Sequence, residues 1–168
     1  RETFGGYHKK YGVDPDMAVF GKTLGNGYAV TSVIGRRDIM EAAQSTFISS
    51  TFWTERLGSV AALKTLDVME RERSWERITA IGEKVRLGWL GLAADRGLSL
   101  KLSGIPALSS FSVGSRDDTA YKTLITQEML KKGWLASTLC YTCSSHEDAI
   151  LDRYFEDLAG VFTTIAEC

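Results

Sequence analysis

Along the second half of the chain the apolar positions recur at the helical period. Ile78, Ile81, Val85, Trp89 and Leu92 lie three and four residues apart, behind Ser74 as N-cap and ahead of Gly97 as C-terminal cap, so one amphipathic helix is expected. Leu98, Leu100 and Leu102 alternate, Ser103-Gly104-Ile105-Pro106 turns, and Phe111 with Val113 alternates again, the pattern of two strands joined by a hairpin-like connection. Thr119 to Lys132 predicts a helix with lysines in its last turn and Gly133 beyond its end. Trp134 to Cys143 predicts a third strand. Ser145, then Glu147 and Asp148, opens a last helix whose stripe is Leu151, Tyr154, Leu158, Val161, Phe162 and Ile165. The expected order from residue 74 is αββαβα, a compact α+β layer.

The first part of the chain carries a different pattern. Short apolar runs, Met17 to Phe20 and Ala29 to Ile34, sit between glycines and predict strands buried on both faces, as in a sheet covered by helices. A helix is expected over Glu55 to Glu70, with Thr54 as its N-cap and Leu57, Val60, Ala61, Leu63, Leu66 and Met69 in a band broad enough to pack on more than one side. The charged stretch Glu70-Arg71-Glu72-Arg73 ends this pattern, and a domain boundary is expected there, dividing residues 1–73 from 74–168.

Charge and composition narrow the partners. Lys+Arg 20 against Asp+Glu 21 gives a formal net charge of -1, with no global attraction to nucleic acid or to an anionic membrane. No apolar run approaches the ~20 residues a membrane-spanning helix needs. The three cysteines, Cys140, Cys143 and Cys168, are odd in number and late in the chain, which argues against a disulfide framework and for a reducing, cytoplasmic setting. The chain opens on Arg1 in mid-stride, so a piece of a longer protein is expected.

Lys22 is the first chemical candidate. It follows an apolar strand directly and lies within Gly21-Lys22-Thr23-Leu24-Gly25-Asn26-Gly27. A lysine delivered by a buried strand into a glycine-rich loop is desolvated, which favours the neutral, nucleophilic amine a Schiff base requires. The plainer reading is a lysine on an exposed loop. A phosphate-binding P-loop is rejected, because that motif needs glycine where Asp16 stands, and Gly25-Asn26-Gly27 would break the helix that should follow. The five hydroxyls between Thr46 and Thr54, just ahead of a helix, suit either a phosphate site or ordinary capping. Cys140-Tyr141-Thr142-Cys143 has redox or zinc spacing, yet on a strand its two sulfurs would face opposite ways, and the chain is short of zinc ligands. No metal site is expected. His8 and His146 stand alone in spacing, as polar loop or helix-start residues.

The run Pro15-Asp16-Met17-Ala18-Val19-Phe20-Gly21-Lys22-Thr23-Leu24-Gly25-Asn26-Gly27 resembles the lysine signature of class III (fold type I) pyridoxal-phosphate aminotransferases, most closely the glutamate-1-semialdehyde aminomutase branch. Phe4-Gly5-Gly6, Thr51, Ala61 to Leu66 and Ser144 to Asp148 extend the likeness over nearly the whole chain. The resemblance implies an α/β fold: the C-terminal part of a large cofactor-binding domain in 1–73, then a small C-terminal α+β domain in 74–168. It implies pyridoxal 5'-phosphate as cofactor, Lys22 as its Schiff-base lysine and proton carrier, and Thr51 with Ser50 beside it as phosphate contacts to the neighbouring subunit of a homodimer. A small amino or carbonyl compound is the implied substrate, handled by transfer or by amino migration. Phe52-Trp53-Thr54-Glu55-Arg56 departs from the Ser-Gly-Asn-Pro-like sequence of the aminomutases, which leaves a keto-sugar as a competing acceptor. The family's partner for the pyridine nitrogen, its ring stacker and its phosphate loop belong before Arg1, so this length of chain is expected to be inactive by itself. A non-catalytic dimerisation or binding module with the same fold is the alternative.

Overall fold

The computed structural model describes residues 1–114 and 117–167; Cys168 lies outside the described residues. The chain divides into two compact units, Arg1–Glu76 and Arg77–Cys168.

The first unit holds two short strands, β1 (Met17–Phe20) and β2 (Ser32–Gly35), paired antiparallel with Met17 opposite Gly35 and Phe20 opposite Ser32. Asp16 locks the open end: its carbonyl accepts from Arg36 N at 3.0 Å and its carboxylate from Arg36 Nη1 at 2.9 Å. The expectation of strands buried on both faces is not met. Ala18 and Phe20 are half-buried, whereas Met17 and Val19 on the other face are exposed, Val19 at 74%. The strands pair only with each other among the described residues, and no helix of the unit covers that second face.

A four-residue helix, α1 (Arg37–Met40), leads into a 3-10 turn at Glu41–Ser45. Next comes α2 (Leu57–Glu72), which starts two residues later than its pattern suggested and buries only Gly58. Gly58 lies against the chain after the lysine loop; a Cβ there would stand 3.0 Å from both Ala29 O and Val30 Cβ. Leu57, Val60 and Leu63 are exposed, so the expected packing on several sides is absent among the described residues of this unit.

The second unit follows the expected αββαβα order. Helix α3 (Ser74–Ala94) ends in Asp95-Arg96, with Gly97 at φ 67 as the left-handed cap. Strands β3 (Lys101–Ile105) and β4 (Leu108–Ser112) form a hairpin, Lys101 opposite Ser112 and Ile105 opposite Leu108. The turn is therefore Pro106-Ala107, later than expected, because Gly104 takes φ 78 inside the strand and lets the pairing continue. Helix α4 (Asp118–Lys131), strand β5 (Leu139–Tyr141) and helix α5 (Asp148–Ala166) complete the unit, with sheet order β3-β4-β5, all antiparallel. The third strand is much shorter than the apolar run predicted: the stretch from Trp134 to Thr138 is a connection in which Trp134 N still bonds Met129 O, at 2.9 Å.

Val85 and Trp89 from α3, Phe111 from β4, Ile125 and Met129 from α4, and Leu158 and Phe162 from α5 are buried in one cluster. Phe111 sits edge-on between two rings, 4.8 Å from Trp89 and 5.7 Å from Phe162 between centroids, an arrangement that adds about 0.5–1.5 kcal/mol per pair to the area buried. No described helix is long and apolar enough to cross a membrane.

Candidate functional site

β1 delivers the chain to Gly21, and Lys22 follows in the left-handed region with φ 51. A non-glycine residue there costs about 1–2 kcal/mol, so the surrounding bonds must hold it. They do so in sequence: Leu24 N donates to Gly21 O (3.1 Å), Asn26 N to Lys22 O (3.2 Å) and Tyr28 N to Gly25 O (3.2 Å). Residues Lys22–Leu24 make one 3-10 turn, and the loop then reverses through Asn26 (φ 46) and Gly27 (φ 110). Gly25 is the buried pivot. A Cβ there would lie 2.1 Å from Tyr28 O, so only glycine allows the loop to close behind the lysine.

Lys22 itself is exposed. The desolvation expected from a lysine on a buried strand is not supplied, because the strand is open on one face. Its amine has no carboxylate partner among the described residues, which leaves the nitrogen available for covalent attachment.

The hydroxyls ahead of α2 differ in how far local bonds occupy them. Ser45 and Thr46 donate back to Ala42 O and Ala43 O, at 2.9 and 3.0 Å, which is ordinary turn closure. Ser50 Oγ accepts from Phe52 N at 3.2 Å and keeps its own proton to donate. Thr51 Oγ1 makes no hydrogen bond among the described residues. The N-terminus of α2 is already taken: the Glu55 carboxylate accepts from Leu57 N at 2.6 Å and Gly58 N at 3.1 Å. The N–H groups of Gly58 and then Leu57 hold its carboxyl below the usual glutamate range. Glu55, not Thr54, therefore caps the helix. A phosphate could not use those two N–H groups without displacing the carboxylate. The sequence signal for this cap, an acidic residue just before an apolar helix, was masked by the threonine beside it.

Cys140 and Cys143 are free thiols. The argument from opposite strand faces does not apply to them, because β5 ends at Tyr141 and Cys143 lies beyond it, exposed. Burial pushes the Cys140 thiol up to about 11, which keeps it protonated and a poor nucleophile near neutral pH. No group of three or more potential metal ligands gathers among the described residues.

The fold recurs in solved structures. Over 95% of its length the chain superimposes on the FumI protein of Sphingopyxis sp. MTA144 in its PLP internal aldimine form, with a TM-score of 0.87 at 21% identity, covering 39% of that protein. The shared fold is the α/β fold of the pyridoxal-phosphate transaminases, fold type I. The family model for class III aminotransferases matches residues 2–139, and the chain belongs to that family. The cofactor of these proteins is pyridoxal phosphate. Among curated relatives, the 3-aminobutyryl-CoA aminotransferase of Cloacimonas acidaminovorans is 33% identical over 99% of this chain and 40% of its own length. The glutamate-1-semialdehyde 2,1-aminomutase of Methanococcoides burtonii is 30% identical over 78% of the chain and 30% of its own. The chain thus spans two-fifths or less of the length of these relatives.

Proposed function

We propose that the protein is a pyridoxal-phosphate-dependent aminotransferase in which Lys22 holds the cofactor, acting on a small amino or carbonyl substrate. The observation that carries this reading is the loop itself: an exposed amine at a strand end, with its backbone forced left-handed and locked by a glycine that admits no Cβ. Residues present fit the group, since Lys22 Nζ is unpaired, and Thr51 Oγ1 and Ser50 Oγ have protons to give to a phosphate. When bound, pyridoxal phosphate supplies the electron sink that lets a bond to the substrate carbon break. The chain's own part is to attach the cofactor through Lys22 Nζ, to carry a proton on that nitrogen, and to fix the phosphate through Thr51 and Ser50. The pair of hydroxyls serves the cofactor of a second copy in a homodimer.

Residues 1–73 are, in this reading, the C-terminal part of the large cofactor-binding domain, and 74–168 are the small domain. The exposed faces of β1, β2 and α2 then meet the remainder of the large domain and the second subunit. Amino transfer is favoured over intramolecular migration, because the relative named as an aminotransferase matches the chain more fully than the aminomutase. The bulky Phe52 and Trp53 after Thr51, both exposed, change the pocket wall from that of the aminomutase branch, and a keto-sugar is the competing acceptor. The 168-residue chain by itself turns over little or nothing, and the full protein works in the cytoplasm.

The test is a cofactor titration followed by borohydride reduction and peptide mapping. The expected outcome is a visible absorbance change and a phosphopyridoxyl label on Lys22, both lost in Lys22→Ala. Labels spread over other lysines and unchanged by Lys22→Ala would sink the enzyme reading and favour a binding module that keeps only the fold.

A further inference from the structure

Asn26 is the only asparagine of the chain, and a glycine follows it. The pair forms the tip of the turn behind Lys22: Asn26 takes φ 46 and Gly27 φ 110, and Tyr28 N donates to Gly25 O across them at 3.2 Å. Asparagine tolerates the left-handed region better than most residues with a side chain, yet glycine would serve the backbone there at least as well.

Both residues are exposed, and neither the Asn26 side-chain amide nor the Gly27 N–H makes a hydrogen bond among the described residues. A Cβ at Gly27 would meet nothing within 4 Å, so the space beside it is open. An asparagine Cγ and the next backbone nitrogen can close a five-membered ring. A side chain on the following residue, or hydrogen bonds that hold the two amides, would hinder that closure; this turn supplies neither.

We propose that Asn26-Gly27 is a site of spontaneous covalent modification, an ageing point in the loop that carries Lys22. The Gly27 nitrogen, deprotonated by hydroxide, attacks Asn26 Cγ; the bond from Cγ to the side-chain nitrogen breaks, and ammonia leaves with a proton from water. Water then opens the five-membered imide. Opening at Cγ restores the normal chain with aspartate at position 26. Opening at the backbone carbonyl leaves isoaspartate, with the chain running through Cβ and Cγ. One water enters, one ammonia departs, and nothing is oxidised or reduced.

The two products act differently on Lys22. Aspartate keeps the backbone and adds a charge at an exposed position. Isoaspartate adds one carbon to the backbone inside the turn, so the bond from Tyr28 N to Gly25 O no longer spans it, and the loop that holds Lys22 at φ 51 loses its rear closure. On the reading that Lys22 holds the cofactor, cofactor attachment therefore falls with age.

The test holds the full chain in warm, mildly alkaline buffer and follows it by peptide mass spectrometry, with enzymatic methylation to mark isoaspartate. The peptide that carries position 26 should change from amide to acid and show both products. Its rate should lie within about tenfold of that of the same chain unfolded in urea, because no hydrogen bond of the attacking amide has to break first. The Tyr28 N–H should lose its protection from hydrogen exchange in isoaspartate material and keep it in Asn26→Asp, while Asn26→Gly should not age. A folded rate more than about tenfold below the unfolded one would mean that the loop shields Asn26, and would overturn the proposal. That comparison uses only the unsubstituted chain, so it decides the matter even where a variant does not fold. Unchanged Tyr28 exchange in isoaspartate material would overturn the opening of the loop. Isoaspartate formed in a chain whose Lys22 takes no borohydride-trapped label even when fresh would strike the cofactor reading and uphold the modification site.

Discussion

In the Arg1–Glu76 unit the only buried residues are two glycines, Gly25 and Gly58, whereas every buried hydrophobic residue of the core belongs to Arg77–Cys168. The difference is not one of composition. The first unit has its share of large apolar side chains, but it presents them outward: Phe47 is 95% exposed and Leu63 68%. An uncovered apolar surface of this extent marks a face made for contact. The second unit resolves its own hydrophobic pattern within its own residues; the first carries apolar side chains that none of its described residues covers.

The largest effect expected from this contrast is on stability. Trp89→Ala removes a fully buried ring at the centre of the second unit and should cost about 3–5 kcal/mol. Leu63→Ala, on the open face of α2, should stay within about 0.5 kcal/mol. Urea unfolding of the chain, followed by near-ultraviolet circular dichroism, measures both. A Leu63 effect as large as that of Trp89 would mean the first unit does bury its apolar band in solution, and the contrast would fail.

The same contrast explains what could be read from the sequence. The helices and hairpin of the second unit were legible because each apolar stripe has its partner in the same stretch of chain, so period and burial agree. The loop that carries Lys22 at the end of β1 was legible from its glycines, but the exposure of the lysine was not, because an apolar strand run does not say how much of the strand is covered. Strand β5 was overdrawn for a local reason: Trp134 and Leu135 continue an apolar run, yet the backbone there bonds back to the end of α4 and cannot pair as a strand. The Glu55 cap was not visible, since it depends on where a single side-chain carboxylate ends up rather than on any spacing.

A smaller effect is expected at two glycines within α3. In Gly82→Ala the new Cβ would stand 2.0 Å from Pro106 O, a backbone atom of the hairpin turn, so helix and hairpin must separate, at about 1–3 kcal/mol. Gly91→Ala meets nothing within 4 Å and should stabilise the helix by up to about 1 kcal/mol. Opposite signs from one substitution in one helix, measured by the same urea unfolding, would sharpen the picture of a second unit closed by tight packing at defined points. Destabilisation by both would show that the packing is looser and more widely shared.

The smallest effect lies in the first unit and reads in pH rather than in unfolding. Hydrogen bonds from Gly58 N and Leu57 N hold the Glu55 carboxyl below the ordinary glutamate value of about 4.3, so the ionised group is favoured by the folded helix. The sign follows from linkage: the contribution is complete above the ordinary value and is lost as pH falls through the lowered one. The amide shifts of Leu57 and Gly58 should therefore titrate with a midpoint below that of an unperturbed glutamate. In Glu55→Gln the side-chain oxygen still accepts a bond but carries no charge, and the titration should vanish, while Thr54→Ala should leave it in place. A midpoint at or above the ordinary value would return the cap to Thr54 and leave the N–H groups of Leu57 and Gly58 open to another acceptor.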